Sequence, residues 1–487
     1  MNKNIIELQD AVIRDEARRF REPVDFSLAE GEHIAIVGPN GSGKTVLVET
    51  LLGTLYLDRG TLRYDFGTSS PLASDNIRYI TFRDAYGTAD RDYYYQQRWN
   101  SSDRECAPAA SQMLDRTAKD SAWRERLLDM LGIGDAMLQK PVVTLSSGEL
   151  RKFQIARMLL SAPRVLVVES PFIGLDPPAR DTLQELLGEL VRRSAVQVVL
   201  SVASPDDIPD FITHVYTVDK MRCGRKQTLA EFRDAEPFTR ARTALRDRLA
   251  AQPPVLPARL SAEPAYDEAV RLRNVTIRYG ERTLLDRVGW TIRRGEKWTL
   301  TGANGSGKST LLSLICADNP QSYAQDIALF GRPRGSGESI WDIKRHIGYV
   351  SPEMHRSYMK DIPAVDIVAS GFFDSIGLYF HPDDAQRAVC TEWMEAFGIG
   401  ALRDRSFLKL SSGEQRLLLL ARAFVKDPEL LILDEPLHGL DGCNKERARA
   451  VIEAFCRRPG KTMIYVTHYE QELPRCIGHR KELVKNE

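Results

Sequence analysis

The apolar residues of this chain gather in short runs separated by polar turns. Ile34-Ala35-Ile36-Val37, Val165-Leu166-Val167-Val168, Leu430-Leu431-Ile432-Leu433 and Met463-Ile464-Tyr465-Val466 are uninterrupted and read as strands. Runs like the one at Val165 suit strands covered on both faces, as in a parallel sheet. Ile5-Ile6-Glu7-Leu8 and Val24-Asp25-Phe26-Ser27-Leu28 alternate in the way of half-buried strands. Helical spacing takes over at 123–131 and 150–160, and again after the polar stretch 411–415.

The same succession returns in the second half. Val270-Arg271-Leu272 and Val275-Thr276-Ile277 predict two strands, and Trp298-Thr299-Leu300-Thr301 and Ile347-Gly348-Tyr349-Val350 follow in the earlier order. The pattern predicts an α/β protein of two tandem units, 1–250 and 267–487, each with a mostly parallel sheet. Between them, residues 251–266 hold Gln252-Pro253-Pro254-Val255-Leu256-Pro257 and Pro264, a stiff Pro-rich linker too short to be a domain. Length alone, 487 residues, suggests about three domains of about 150 residues each; the repeat favours two.

Composition narrows the setting. The 67 Lys and Arg balance the 67 Asp and Glu, which removes any general electrostatic case for nucleic acid or an anionic membrane. A basic patch at 220–226 reads as a solvated face. Seven cysteines without a C-x-x-C pair suit free thiols in a reducing cytoplasm better than disulfides or zinc. Met1-Asn2-Lys3-Asn4 opens no signal peptide, and the longest apolar stretch, 417–421, is closed by Arg416 and Arg422, so no transmembrane span is expected. The insertion 83–119, with Tyr93-Tyr94-Tyr95 and Trp99, reads as a surface subdomain with an aromatic cluster of its own, or as a docking face.

Two strand-to-helix junctions carry chemistry. Gly302-Ala303-Asn304-Gly305-Ser306-Gly307-Lys308-Ser309 fits the phosphate-loop pattern G-x-x-x-x-G-K-[ST], with Thr310 opening the helix behind it. Glycines let backbone N–H groups close around phosphate oxygens, Lys308 neutralises β/γ charge, the Ser309 hydroxyl suits Mg²⁺, and the helix N-terminus favours anions. The loop occurs twice: Gly38-Pro39-Asn40-Gly41-Ser42-Gly43-Lys44-Thr45 precedes it by 264 residues, with Lys44 and Thr45 in the places of Lys308 and Ser309.

Beyond each loop stand Leu145-Ser146-Ser147-Gly148-Glu149 and Leu410-Ser411-Ser412-Gly413-Glu414 before a helix, and in the second half a strand ending Asp434-Glu435 and another ending in His468. These motifs, in this order and twice over, resemble the ATP-binding-cassette (ABC) ATPases and cover nearly all of both halves. At finer grain, residues 329–344 and 370–377 are similar to a twin-cassette branch associated with molybdate uptake and also with photorepair.

The resemblance implies two cassettes facing head to tail, each ATP clamped between one cassette's phosphate loop and the other's signature, Ser146-Ser147-Gly148 or Ser411-Ser412-Gly413. It implies a helical signature subdomain in each unit, ATP and Mg²⁺ as ligands, Ser309, Asp434 and Thr45 around the metal, and Glu435 as general base. His468 would hydrogen-bond the γ-phosphate and the attacking water, and Tyr279 would stack on adenine.

The first unit departs from the pattern. Opposite Asp434 and Glu435 it has Glu169 and Ser170; opposite His468 it has Ala203, and opposite Tyr279, Asp15. A serine is no base near neutral pH, alanine has no hydrogen bond to give, and a carboxylate does not stack on a purine. Binding through Lys44 and Thr45 is therefore expected where hydrolysis is not. Both halves have Ser147 and Ser412 where the family usually has Gly, and Phe82 and Pro352 near where it usually has the Gln that couples a cassette to membrane subunits.

Two functions follow from the resemblance. One is the ATPase of a molybdate-type importer, with permease subunits as partners, placed in the cytoplasm or at the inner face of the plasma membrane. The other is a soluble switch that remodels a protein or nucleic-acid partner. A tandem sugar-importer ATPase shares the length and the asymmetry. The short linker disfavours translation factors of the family, and the absence of zinc cysteine pairs disfavours its repair enzymes.

Overall fold

The computed structural model describes residues 3–81, 108–115, 121–142, 145, 147–173, 175–235, 238–260, 266–279, 282–303 and 305–484. Asn304, Ser146, Phe82, linker residues 261–265 and most of the insertion 83–119 lie outside them.

Each half is built on a parallel sheet whose strands are the apolar runs. In the second half the order is Ile347–Val350, Leu430–Asp434, Thr462–Val466, Lys297–Gly302 and His479–Leu483, every neighbouring pair parallel. In the first it is Ile77–Ile80, Val165–Glu169, Gln197–Val202, Ile34–Val37 and His214–Asp219, again parallel, with Gln227–Thr228 added antiparallel at the edge. Leu430–Asp434 and Thr462–Val466 are buried at every position. That is why they lack alternation: both sheet faces are covered.

Beside each parallel sheet lies an antiparallel one, Val24–Ala29 with Asn4–Ile13 and Leu57–Tyr64 in the first half, Arg282–Arg293 with Glu268–Tyr279 and Asp326–Leu329 in the second. The sequence predicts two strands at 270–277. The structure has one, Glu268–Tyr279, whose pairing slips around Asn274, a residue at φ 49°. Asparagine tolerates this left-handed conformation, so the strand bulges and carries on.

On the other side, helices form a second layer. In the second half Ser412–Phe424 is buried along nearly its whole length against Ala364–Ala369 and Asp384–Ala396, and Trp393, Phe397, Phe424 and Phe455 meet in one aromatic cluster. Ser147–Leu159 takes the corresponding place in the first half.

The helix Thr239–Ala251 ends the first unit and packs on Gly442–Cys456 of the second, with Arg242 3.1 Å from Glu446. The described part of the linker meets the second unit, where Leu256 packs against its core and Leu260 N–H donates to Asp427 at 3.2 Å. The basic patch is tied down locally: Lys226 pairs with Glu32, and Arg222 lies 3.5 Å from Glu22.

Candidate functional site

Both phosphate loops sit at the carboxyl ends of inner strands, where parallel sheets present their ligands. Gly43 (φ 112°) and Gly307 (φ 94°) are left-handed and lead straight into the helices Lys44–Leu51 and Lys308–Ile315. A side chain at either would be strained whatever the space. Lys44 Nζ donates to the carbonyls of Gly38 and Pro39 at 2.7 and 2.8 Å, and Lys308 Nζ to those of Gly302 and Ala303 at 2.7 and 3.0 Å. Each ammonium is thus folded over its own loop. The hydroxyls of Ser42 and Ser306, one per loop, are buried and meet no protein partner. A phosphate oxygen in the loop would satisfy them, and the donor set present fits a polyphosphate.

The second cassette faces the first head to tail. A Cβ on Gly413 would lie 2.0 Å from the Asn40 amide, and one on Gly41 would lie 2.5 Å from the Glu414 carboxylate, so the second signature rests on the first phosphate loop. Ser411 and Glu414 form a capping box that fixes the start of the helix Ser412–Phe424. Asn40 N–H donates to Asp441 Oδ2 at 2.8 Å, and Asp441 N–H donates to Asn40 Oδ1 at 2.7 Å. Lys44 is partly buried in this contact, and desolvation lowers it to about 8 although Asp441, Glu169 and Glu414 oppose the shift.

Around the second loop the structure gathers Asp434, Glu435 and His468. Glu435 is left-handed at φ 48°. Its Oε1 lies 3.3 Å from His468 Nε2 and its Oε2 3.0 Å from His438 Nδ1. Burial pushes the Glu435 carboxyl up, but the His438 hydrogen bond and the charges of His438, His468 and Arg416 outweigh it and hold the group at about 2. Burial lowers His468 below 6.5, with the Glu435 charge opposing. At neutral pH a carboxylate therefore faces a neutral imidazole. Buried Asp434 is raised well above its ordinary value by desolvation and by Glu353 and Glu435, against Arg416 and Lys308. Arg416 binds the Glu435 carbonyl and, at 3.2 Å each, those of Asp434 and Ser351, which stitches the strand end to the helix behind it.

From the first cassette, Asp176 comes close enough to act on the charges of Lys308 and His468. Ser147 and Gly148 start the helix Ser147–Leu159. Tyr279, at the end of its strand, accepts a hydrogen bond from Asn319 at 3.1 Å. Sequence reasoning missed His438, Arg416, Asp176 and Asp441. His438, three residues past Glu435, carried the only readable signal: the next turn brings it back over the carboxylate.

The corresponding places of the first cassette look different. Thr45 donates to Glu169 Oε1 at 2.7 Å and Tyr79 to Oε2 at 2.8 Å, so the longer carboxylate reaches the loop hydroxyl directly. Ser170 keeps the left-handed backbone of Glu435, at φ 49°, but has no carboxylate to present. Ser170 and Ala203 instead border a polar cavity shared with His438, Tyr469, Arg180 and Asp207. Asp15 turns its carboxylate onto Ala17 N–H at 3.0 Å, as the cap of a short helical turn.

Twin phosphate loops on parallel sheets, the first of them set against the signature of the second cassette, define a class, and the sequence agrees: it matches the ABC transporter family over residues 22–172 and 285–438. The chain belongs to that family and is a twin-cassette, ATP-binding ATPase. It is 35% identical over 463 residues to the ABC transporter ATP-binding protein ModF of Escherichia coli (strain K12), covering 94% of this chain and 92% of that protein. An uncharacterized ABC transporter ATP-binding protein of Schizosaccharomyces pombe is 29% identical over 476 residues, covering 94% of each.

Among solved structures, ribosome-bound archaeal Pelota and ABCE1 matches at TM-score 0.54 and 19% identity, covering 94% of this chain and 73% of that one. The complex of the archaeal stalk protein aP1 with the recycling factor aABCE1 matches at 0.52 and 18%, covering 97% and 87%. At these identities the likeness is one of fold. Among the described residues no helix is long and apolar enough to cross a membrane.

Proposed function

We propose that the two composite sites are unequal: the second cassette's phosphate loop hydrolyses ATP, and the first holds nucleotide without cleaving it. The observation that carries this reading is the clamped Glu435 carboxylate, between His468 and His438, set against Ser170 and Ala203 in the first cassette. Lys308 and the N–H groups of 302–309 bind the β- and γ-phosphates, Glu435 takes the proton of the attacking water, His468 orients that water, and Tyr279 carries the adenine. Ser309 and Asp434 would hold a Mg²⁺ ion, which supplies charge neutralisation on the phosphates. In the first cassette Lys44, Thr45 and Glu169 keep the means to bind.

We place the chain with a molybdate-type transport system, as its ATPase component or an associated protein on the cytoplasmic side. The support is the similarity to ModF over nearly the whole of both chains. A second reading, a soluble ATP-driven switch acting on a protein or nucleic-acid partner, draws on Pro352. It opens the helix Pro352–Ser357 near where a coupling glutamine is expected, and it has no side-chain donor or acceptor. Affinity purification from native membranes separates the two. Recovery of a permease supports transport, and recovery of soluble partners alone supports the switch.

A further inference from the structure

We propose that His438 is a positioning residue that holds the base Glu435 in line and makes it answer to the first cassette; this rests on hydrolysis belonging to the second phosphate loop. A glutamate carboxyl turns freely about its last torsion when one donor holds it. Here each oxygen has its own imidazole, His468 on Oε1 and His438 on Oε2. His468 stands two residues past the end of the strand Thr462–Val466, which pairs with Leu430–Asp434 in the same sheet of the second cassette.

His438 has a different backing. It lies in the loop between Leu430–Asp434 and Gly442–Cys456, beside Gly439, where a Cβ would come within 2.5 Å of Ile173 of the first cassette. Its ring meets that of Tyr469 edge to face, with centroids 5.9 Å apart. The Tyr469 hydroxyl donates to the Leu175 carbonyl of the first cassette at 3.3 Å and bonds Arg180, which pairs with Asp207 at 2.8 Å. Asp207 in turn is near enough to feel the charge of His438 across the shared cavity.

One side of the His438 ring therefore touches the base, and the other is braced by Tyr469 and, through it, by Leu175 and Arg180. When the cassettes separate, Tyr469 loses both partners and the brace is gone. Glu435 is then left with a single donor. Turnover becomes conditional on closure through this chain of contacts, without any change in how the phosphate loop binds ATP.

The test is steady-state ATPase kinetics of the full chain. His438→Ala should lower kcat by about tenfold to a hundredfold, the range expected when a reacting group is misplaced, while KM for ATP stays near wild type. His438→Asn places an amide N–H where Nδ1 stands and should recover most of the loss; His438→Gln places it one atom further out and should not. Tyr469→Phe keeps the ring but cuts the link to Leu175, and should lower kcat in the same sense. Wild-type kcat in His438→Ala, or an Asn variant no better than Ala at equal thermal stability, overturns the proposal. If His438→Ala turns over normally while Glu435→Gln is inactive, only this inference falls. If Glu435→Gln still turns over, the assignment of the hydrolytic site falls.

Discussion

Asn40 and Asp441 exchange two hydrogen bonds between the cassettes, each side chain accepting from the other's backbone N–H at 2.7 to 2.8 Å. Asn40 also donates to the Gly439 carbonyl at 3.2 Å. The first phosphate loop is thereby fastened to the loop that follows the strand Leu430–Asp434 of the second cassette. Asn40→Ala leaves the Asp441 N–H without its partner and should weaken docking by about 1–3 kcal/mol. Amide hydrogen exchange should then quicken at residues 38–45 and 439–444. Unchanged exchange in both segments would mean the pair contributes nothing to closure.

The two loop lysines should not be equivalent. Lys308→Ala should abolish steady-state ATPase activity, because it removes the ammonium that the loop beside Glu435 holds ready for phosphate charge. Lys44→Ala should leave a measurable fraction, since its loop faces Ser170 and Ala203. Equal loss in the two variants would contradict a single hydrolytic site.

Much of this asymmetry was legible beforehand. The paired loops, the signatures and the changes from Asp434, Glu435 and His468 to Glu169, Ser170 and Ala203 are local strings, and a constant offset lines them up. What the string hides is everything made by folding one half against the other. Nothing near Asn40 names Asp441 as its partner, and Tyr469 beside His468 gives no sign that it reaches Leu175. Val270-Arg271-Leu272 and Val275-Thr276-Ile277 are separate apolar strings, yet they form one strand, Glu268–Tyr279, because the sheet tolerates the left-handed Asn274 as a bulge. The Pro-rich linker was visible, but not the helix before it, Thr239–Ala251, which the Arg242–Glu446 pair fastens to the second unit.

The titration of the site gives a further prediction. Glu435 at about 2 stays ionised across the working range, and His468, lowered from 6.5, stays neutral down to that value. Because the folded pKa of His468 is depressed, its contribution to stability is full above 6.5 and is lost as pH falls through the folded value, the unfolded chain taking up the proton first. The Glu435 contribution is present above 4.5 and lost only toward about 2. The pH profile of kcat should therefore hold down to 6.5, with its acid limb below. An acid limb centred at or above 6.5 would contradict the neutral His468 on which the arrangement depends.

Where cleavage happens separates one hydrolytic site from two. Glu435→Gln keeps the shape of the side chain and removes the base, so both loops should still take up ATP while neither cleaves it. The most direct measurement is to load this variant with ATP and Mg²⁺, remove free nucleotide, quench in acid and quantify what each chain holds. With Glu435 as the single base, ATP should be retained with almost no ADP. ADP formed in a substantial fraction of chains within a single turnover would show that the first cassette hydrolyses after all, without the carboxylate that Ser170 replaces.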